Sequence, residues 1–256
     1  MKYIFFDIDG TLTYDKNGQS YIPTSTKQTI QKLQEQGHMV AVATGRSYHH
    51  IQEVTHQLGI KYAVCDGGHG IVIENQVVHI KPLDHEVVNR LILELYELQI
   101  PFALQIDQNN CLYATSKMLC DQQIEAFEQM PVIVDETFEC INQDCFKLFF
   151  KLHKGDEALI KSVDASKIMR YFPDQLAFEP DDKYGGVVDF INQVGGNMED
   201  VIFFGDGKND ISMFKKIPYS IAMGNAIEPL KQMAYFVTKG VQEDGIEYAC
   251  RYLGLI

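Results

Sequence analysis

Apolar positions along this chain fall into two rhythms. Short unbroken runs, "KYIFF" near the start, then "HMVAVAT", "YAVCD" and, far downstream, "VIFFGD" and "YSIAMG", are rich in β-branched and aromatic residues and read as strands, the first of them buried. Between them lie stretches with helical spacing: "TSTKQTIQKLQEQG", "YHHIQEVTHQLG", "GVVDFINQVG" and "DISMFKKI". Thr24 or Ser25 is the expected N-cap of the first helix, and Gly37 its stop. Strands alternating with helices predict βαβ units around a parallel sheet, an α/β fold.

From about Lys81 the texture changes. "DHEVVNRLILELYELQ" sets Val87, Val88, Leu91, Leu95 and Leu98 at helical spacing. "FALQID" and "CLYAT" flank the polar "QNN" and predict a β-hairpin. Two further helices are expected over "KMLCDQQIEAFEQM" and "DEALIKSVDASKIMRYF", with a strand at "CFKLFFKLH" between them. Near Lys183 the first texture returns. The expected organisation is a core built from residues 1–80 and 183–256, with an α/β insert at 81–182.

Composition narrows the function. The 256 residues are 46% hydrophobic and 22% charged, as expected of a globular protein with a sizeable core. A net charge of −13 repels a phosphate backbone, so nucleic acid is not an expected partner, and a small anionic substrate would need local cations. Cys65, Cys111, Cys120, Cys140, Cys145 and Cys250 show no metal-type spacing and read as reduced thiols packed as small apolar groups. Asp7 and Asp9 interrupt the apolar start that a signal peptide needs, and no run approaches a membrane span. A cytoplasmic location without membrane attachment is expected.

Four strand ends carry polar groups: "FFDIDGT", "VATGR", "DDKYGG" and "FFGDGKND". Ligands of open parallel sheets bind outside the carboxyl ends of the strands. Alternation should aim Asp7 and Asp9 to one side with Ile8 turned away, so that one carboxylate can attack while the other moves a proton. Taken alone, the pair is also compatible with two solvated turn aspartates, since Asp-Gly is a common turn dipeptide. Asp206 ends a buried strand and Asp210 follows four residues on, an oxygen-rich cluster suited to Mg²⁺, although Asp210 could simply cap the next helix. Thr44 and Gly45 offer a hydroxyl and backbone N–H groups to an anion, or form a plain turn. Lys183 is one of few cations near these acids; by itself it would read as a solvated surface lysine.

With these residues in place, the chain resembles the haloacid dehalogenase superfamily of phosphatases, in its Cof-type branch with a type IIB α/β cap. "DIDGTL", "ATGR", the lysine of "DDKYGG" and "GDGKND" resemble the four motifs, and "MF", "AMGNA", "LKQMA" and "EDGI" follow in the branch's order. The resemblance implies that Asp7 is the nucleophile forming an aspartyl-phosphate and Asp9 the general acid/base. It implies phosphate binding by Thr44, Gly45 and Lys183, and an Mg²⁺ held by Asp7, Asp206 and the Asp9 backbone carbonyl. Asp210 and Asn209 would support the ion and the phosphate pocket. There are two departures: the family shows Asn-Gly where "CDGGHG" places Asp66, and Tyr184 stands between Lys183 and the glycine that usually follows the lysine directly.

The implied function is hydrolysis of a small phosphorylated metabolite, such as a sugar phosphate, with the insert reading the leaving group. A phosphomutase would use the same aspartyl-phosphate, and tracing phosphate to water or to a second hydroxyl separates the two. A non-catalytic binding protein on the same scaffold would be expected to lack Asp7 or Asp9. His49, His50 and His56 read as a helix surface, "GGHG" at 67–70 as a turn between strands, and Met118, Met130, Met169 and Met213 as packing.

Overall fold

The computed structural model describes residues 1–120, 126–127, 130–164 and 167–256. The chain divides into two compact units, Met1–Ile80 with Asp181–Ile256, and Lys81–Pro180. The first unit begins with β1 (Tyr3–Phe6), a small hairpin of β2 (Tyr14–Lys16) and β3 (Gln19–Tyr21), α1 (Thr24–Glu35), β4 (Met39–Ala43) and α2 (Tyr48–Leu58). It continues through β5 (Tyr62–Cys65), β6 (Gly70–Ile73) and β7 (Gln76–Ile80). The second unit holds α3 (His85–Glu97), β8 (Phe102–Gln105), β9 (Leu112–Ala114), β10 (Ala126–Phe127), β11 (Met130–Val134), β12 (Lys147–Lys151), β13 (Ile168–Phe172) and β14 (Gln175–Phe178). The chain then completes the first unit with α4 (Lys183–Gln193), β15 (Val201–Gly205), α5 (Ile211–Lys216), β16 (Tyr219–Ala222), α6 (Glu228–Met233), β17 (Phe236–Val237) and α7 (Gly245–Tyr252).

In the first unit the strands order as β17-β16-β15-β1-β4-β5-β6-β7, parallel from β17 to β5 and antiparallel at β6 and β7. Every residue of β1 and β15 is buried, because helices cover both faces and each strand must be apolar on both. Ile4 and Phe6 pack with Ile30 and Leu33 of α1, Ile51 and Val54 of α2 and Ile246 and Ala249 of α7. Tyr3 and Phe5 face the other layer, where Val187 and Phe190 of α4, Met213 and Phe214 of α5 and Leu230 of α6 close the core. This is a three-layer α/β/α sandwich with β1 at its centre. Its mixed α/β core is the predicted class.

The helix boundaries differ slightly from expectation. Pro23, not Thr24 or Ser25, stands at the N-cap of α1: its fixed φ of −58° holds it extended, and its carbonyl accepts from the Lys27 N–H at 3.2 Å. The Ser25 hydroxyl instead donates to the Asp244 carboxylate. Gly37 follows α1 at φ +78°, a conformation that favours glycine. Helix α4 starts at Lys183, three residues earlier than the sequence reading, because the Asp182 side chain accepts from the Gly185 N–H and caps it.

In the second unit, the described strands order as β10-β11-β9-β8-β12-β14-β13. The predicted hairpin is present, with Leu104 opposite Tyr113 across β8 and β9. Helix α3 forms as predicted, capped by Asp84, and buries Val88, Leu91, Ile92 and Leu95, while Leu98 lies beyond its end, exposed. Two expected helices need correction. Over 156–172 the described residues hold a short 3₁₀ turn at Glu157–Leu159 and strand β13 at Ile168–Phe172, while residues 165–166 lie outside the described residues. Pairing of Ile168 with Phe178 and Met169 with Ala177 overrides the weak helical period, and the residues it uses are mostly apolar or aromatic. Met169 is exposed on this edge strand rather than packed, whereas Met118, Met130 and Met213 are buried. Of the helix expected over 117–130, residues 121–125 and 128–129 lie outside the described residues; Lys117–Cys120 is a turn and Met130 opens a strand.

Candidate active site

Parallel neighbours β15, β1 and β4 bring their carboxyl ends side by side. Asp7 leaves β1, Thr44 leaves β4 and Asp206 leaves β15, so residues about 200 positions apart in sequence converge. The Asp7 N–H donates to the Phe204 carbonyl at 2.9 Å, tying the end of β1 to its neighbour. Lys183 arrives from the first turn of α4.

That arrival depends on a glycine. Gly68 sits at φ +105°, and a Cβ there would stand 2.0 Å from the Asp182 carbonyl oxygen. The Asp182 N–H also donates to the Gly67 carbonyl at 2.8 Å. The glycine-rich turn at 67–70 is therefore the surface against which the start of α4 packs, and it sets where Lys183 enters.

Lys183 is 2% exposed, with its Nζ donating to Asp7 Oδ1 at 2.9 Å and to Asp210 Oδ1 at 2.6 Å. Asp7 and Asp210 are 3% and 0% exposed. Asp210 Oδ2 accepts from the backbone N–H groups of Asp206 and Gly207, at 3.0 and 3.1 Å. Both oxygens of Asp210 are thus engaged, so it fixes Lys183 and the Asp206 loop at once. The Asp206 carboxylate accepts from Thr11 Oγ1 at 3.1 Å and from Asn225 Nδ2 at 3.4 Å. At Gly10, φ +79°, a Cβ would stand 2.1 Å from Asp206 Oδ2, so only glycine lets β1's loop pass this close.

Asp7, Asp206 and Asp210 present carboxylate oxygens within 4.8 Å of one another. Burial, aided by the neighbouring carboxylates Asp210 and Asp206 and opposed by Lys183, pushes the Asp7 pKa up to about 8. Burial and Asp210 also raise Asp206 to about 6. For Lys183 burial works against the charge, but Asp210 and Asp7 outweigh it and hold the ammonium above the usual lysine range. With all four ionised, three carboxylates face one ammonium, an excess of two negative charges that a divalent cation with oxygen ligands would balance. The donor set fits Mg²⁺: hard, oxygen-only and anchored through hydrogen bonds from the Asp206 and Gly207 N–H groups to Asp210.

Asp9 is placed differently. Its side chain is exposed and forms a two-pronged pair with Arg46, Nε to Oδ2 at 2.8 Å and Nη2 to Oδ1 at 2.5 Å. The Asp9 carboxylate is not among the clustered oxygens; Asp9's expected contribution to a metal was through its backbone carbonyl. Ile8 is fully buried, as the alternation predicts. Thr44 is 2% exposed and its Oγ1 accepts from the Arg46 N–H at 3.2 Å, while a Cβ at Gly45 would meet nothing within 4 Å among the described residues. Asn209 folds its amide back toward Gly207, where a Cβ would lie 2.6 Å from its oxygen.

Both departures from the motif pattern have structural explanations. Asp66 is 1% exposed at φ +48° and its Oδ2 accepts from the Tyr48 N–H, so its charge serves the N-terminus of α2. Tyr184 packs against the first unit's core, with the Lys216 ammonium 4.3 Å from its ring centroid, and leaves Lys183 in the first turn. His49, His50 and His56 are exposed on α2, as expected. Sequence reasoning gave no role to Thr11, Arg46 or Asn225, although all three stand inside quoted stretches.

The sequence profile of the haloacid dehalogenase-like hydrolases matches residues 4–250. The chain belongs to that family. It is 33% identical over its full length to the candidate phosphatase YkrA of Bacillus subtilis (strain 168), covering 98% of that protein. A crystal structure from Geobacillus kaustophilus HTA426 superposes with a TM-score of 0.81 at 30% identity, covering all of this chain and 99% of the other. The fold is also that of the subclass IIB sugar phosphatase BT4131, with a TM-score of 0.76 at 24% identity and full coverage of both chains. The protein is a phosphatase of this superfamily, with a parallel-sheet core and a cap domain. No helix among the described residues is long and apolar enough to cross a membrane.

Proposed function

We propose that the chain hydrolyses a small phosphomonoester, a sugar phosphate or similar metabolite, with Mg²⁺ and through an aspartyl-phosphate on Asp7. The observation that carries this reading is the quartet of buried Asp7, Asp210 and Lys183 with half-buried Asp206, and its two-charge excess. Asp7 and Asp206, with the Asp9 carbonyl, would hold the ion, and Asp210 and Asn209 would support it. When bound, Mg²⁺ neutralises charge on the transferring phosphoryl group.

The residues themselves divide the work in two steps. A carboxylate oxygen of Asp7 attacks phosphorus, and the bond from phosphorus to the ester oxygen breaks. Lys183, with the Thr44 hydroxyl and the Gly45 backbone, binds phosphoryl oxygens and stabilises the charge on them. Asp9 gives its proton to the departing ester oxygen. A water then attacks the acyl-phosphate, Asp9 takes its proton, and Asp7 and inorganic phosphate are released. Arg46 orients the Asp9 carboxylate. Lys81–Pro180 would read the remainder of the substrate, since these residues engage only phosphate and proton.

Phosphate release from a panel of phosphorylated metabolites, with Mg²⁺ and after chelation, tests the reading. Turnover of at least one ester is expected only with the metal; undiminished turnover after thorough chelation would remove Mg²⁺ from the scheme.

A further inference from the structure

Away from the phosphate site, the last strand of the first unit carries a cluster of exposed rings. β17 ends its sheet, and among the described residues no strand pairs on its outer side. Around it Tyr235, Val237, Tyr248 and Tyr252 are exposed, as is Tyr219 at the start of β16. The rings are ordered against one another. Tyr252 lies flat on Phe236, with centroids 4.3 Å apart and planes 8° from parallel, and Tyr248 stacks near the same ring at 6.2 Å. Tyr235, the residue before Phe236, meets Tyr219 edge to face at 5.2 Å. The cluster is one continuous patch, running from α7 across the edge of the sheet to β16.

Its size decides what it can be. Tyr219, Tyr235, Tyr248 and Tyr252 are 41%, 57%, 45% and 65% exposed. At about 200 Å² for a whole aromatic side chain, these four leave about 400 Å² in water before Val237 and Phe236 are counted. The largest apolar patch on an ordinary monomer covers about 300–600 Å² and is often functional. The same area suits the centre of a standard interface, which removes about 800 Å² from each partner once its polar rim is included. Sheet edges of soluble monomers are usually guarded by charge, and this one presents rings and a valine.

Charge selects the partner. None of the patch residues carries one, on a chain of net charge −13. A basic partner would be drawn to the acidic remainder of the surface rather than to the rings, and an acidic one repelled. The partner that fits is uncharged, aromatic and able to exchange hydroxyl hydrogen bonds. The patch is itself such a surface, because a tyrosine hydroxyl both donates and accepts. A twofold axis would bring the same patch to both sides of the seam.

We propose that this surface joins a second copy of the chain in an isologous dimer, with Tyr235 and Tyr252 as its anchors. Lys239, 4.6 Å from the Tyr248 ring centroid, and the Glu247–Arg251 pair of α7 supply a polar rim. The inference is independent of the phosphatase reading.

Interfaces of this area bind at micromolar affinity or tighter, so sedimentation equilibrium of the full chain from about 1 to 100 μM should reach twice the chain mass. Raising NaCl from about 0.05 to 0.5 M screens the repulsion between two acidic chains and should tighten the dimer. Tyr235→Lys and Tyr252→Lys should each weaken it by about 30-fold or more, the scale of a lost aromatic anchor. They should do so although each lysine reduces the net negative charge that keeps two copies apart. Val78→Lys, at an exposed position on the opposite edge strand β7, should leave the dimer unchanged. Circular dichroism checks that each variant is folded. Should Tyr252→Lys unfold by uncovering Phe236, Tyr235→Lys, outside any helix or strand, carries the test alone. A chain that stays monomeric at the highest concentration, or a dimer that survives the change at Tyr235, would overturn the proposal. So would a dimer that Val78→Lys breaks, or one that loosens as salt rises.

Discussion

Asp7 and Asp206 both resist ionisation in the metal-free protein, and for the same main reason, burial next to other carboxylates. Their folded-state pKa values, about 8 and about 6, lie above the ordinary carboxylate value of 3.8. A folded state that binds protons more tightly than the unfolded one loses stability as pH rises. That contribution is complete below about pH 4 and fades up to about pH 8, so the chelated protein should melt at lower temperature at pH 8 than these groups would allow at pH 5.5. Mg²⁺ needs the ionised carboxylates, so its stabilising shift should grow over the same interval. Thermal denaturation with Mg²⁺ and with chelator at pH 5.5 and pH 8 measures this; a larger metal-induced shift at pH 5.5 would contradict it. Much of the site was legible in sequence, since Asp7, Thr44 and Asp206 follow directly on apolar strands and Asp210 stands four residues beyond Asp206. Arg46 was not, because its pairing with Asp9 spans 37 positions and only the folded chain sets that distance. The place of Asp66 was not legible either: its burial against α2 depends on a positive φ that no residue type announces.

At the scale of elements, the helix-to-turn contact at Gly68 governs Lys183. Gly68→Ala would force a Cβ into the Asp182 carbonyl at 2.0 Å and hold alanine at φ +105°. Gly155, at φ +102° with nothing within 4 Å of a built Cβ among the described residues, provides the control for conformational strain alone. Strain at such a backbone conformation costs about 1–3 kcal/mol. Gly155→Ala should lose that much and keep its activity, whereas Gly68→Ala should lose more and also lower kcat by displacing Lys183. Denaturant titration and steady-state kinetics on the two variants decide; equal stability losses with equal kcat would show that the contact does not position the lysine. The strands of the first unit were readable because burial on both faces demands unbroken apolar runs. Strand β13 was not, since "KIMRYF" suits either structure and only its partner β14 selects one. The start of α4 at Lys183 was not legible, because the Asp182 cap begins the helix ahead of its first apolar pair.

Across the whole molecule, the residues proposed to act on phosphate all belong to the unit of Met1–Ile80 with Asp181–Ile256. Asp206→Asn should abolish Mg²⁺-dependent turnover of every ester while leaving the fold intact. An Asp206→Asn protein that retained wild-type turnover would show that the acidic cluster is not the metal site. The division of the chain was visible in its change of texture near Lys81, while the secondary structure of the insert was less so, because its short edge strands take their conformation from pairing.

The central claim is that Asp7 takes the phosphoryl group. Asp9→Asn keeps that carboxylate but removes the proton carrier, so turnover should fall by about 10²–10⁴-fold while the aspartyl-phosphate still forms. The most direct measurement is rapid acid quenching of Asp9→Asn during turnover of a good ester, followed by peptide mass spectrometry. The account predicts a phosphate on Asp7, labile to hydroxylamine as acyl-phosphates are, and none in Asp7→Asn. A phosphate on any other residue, or wild-type turnover in Asp7→Asn, would contradict it.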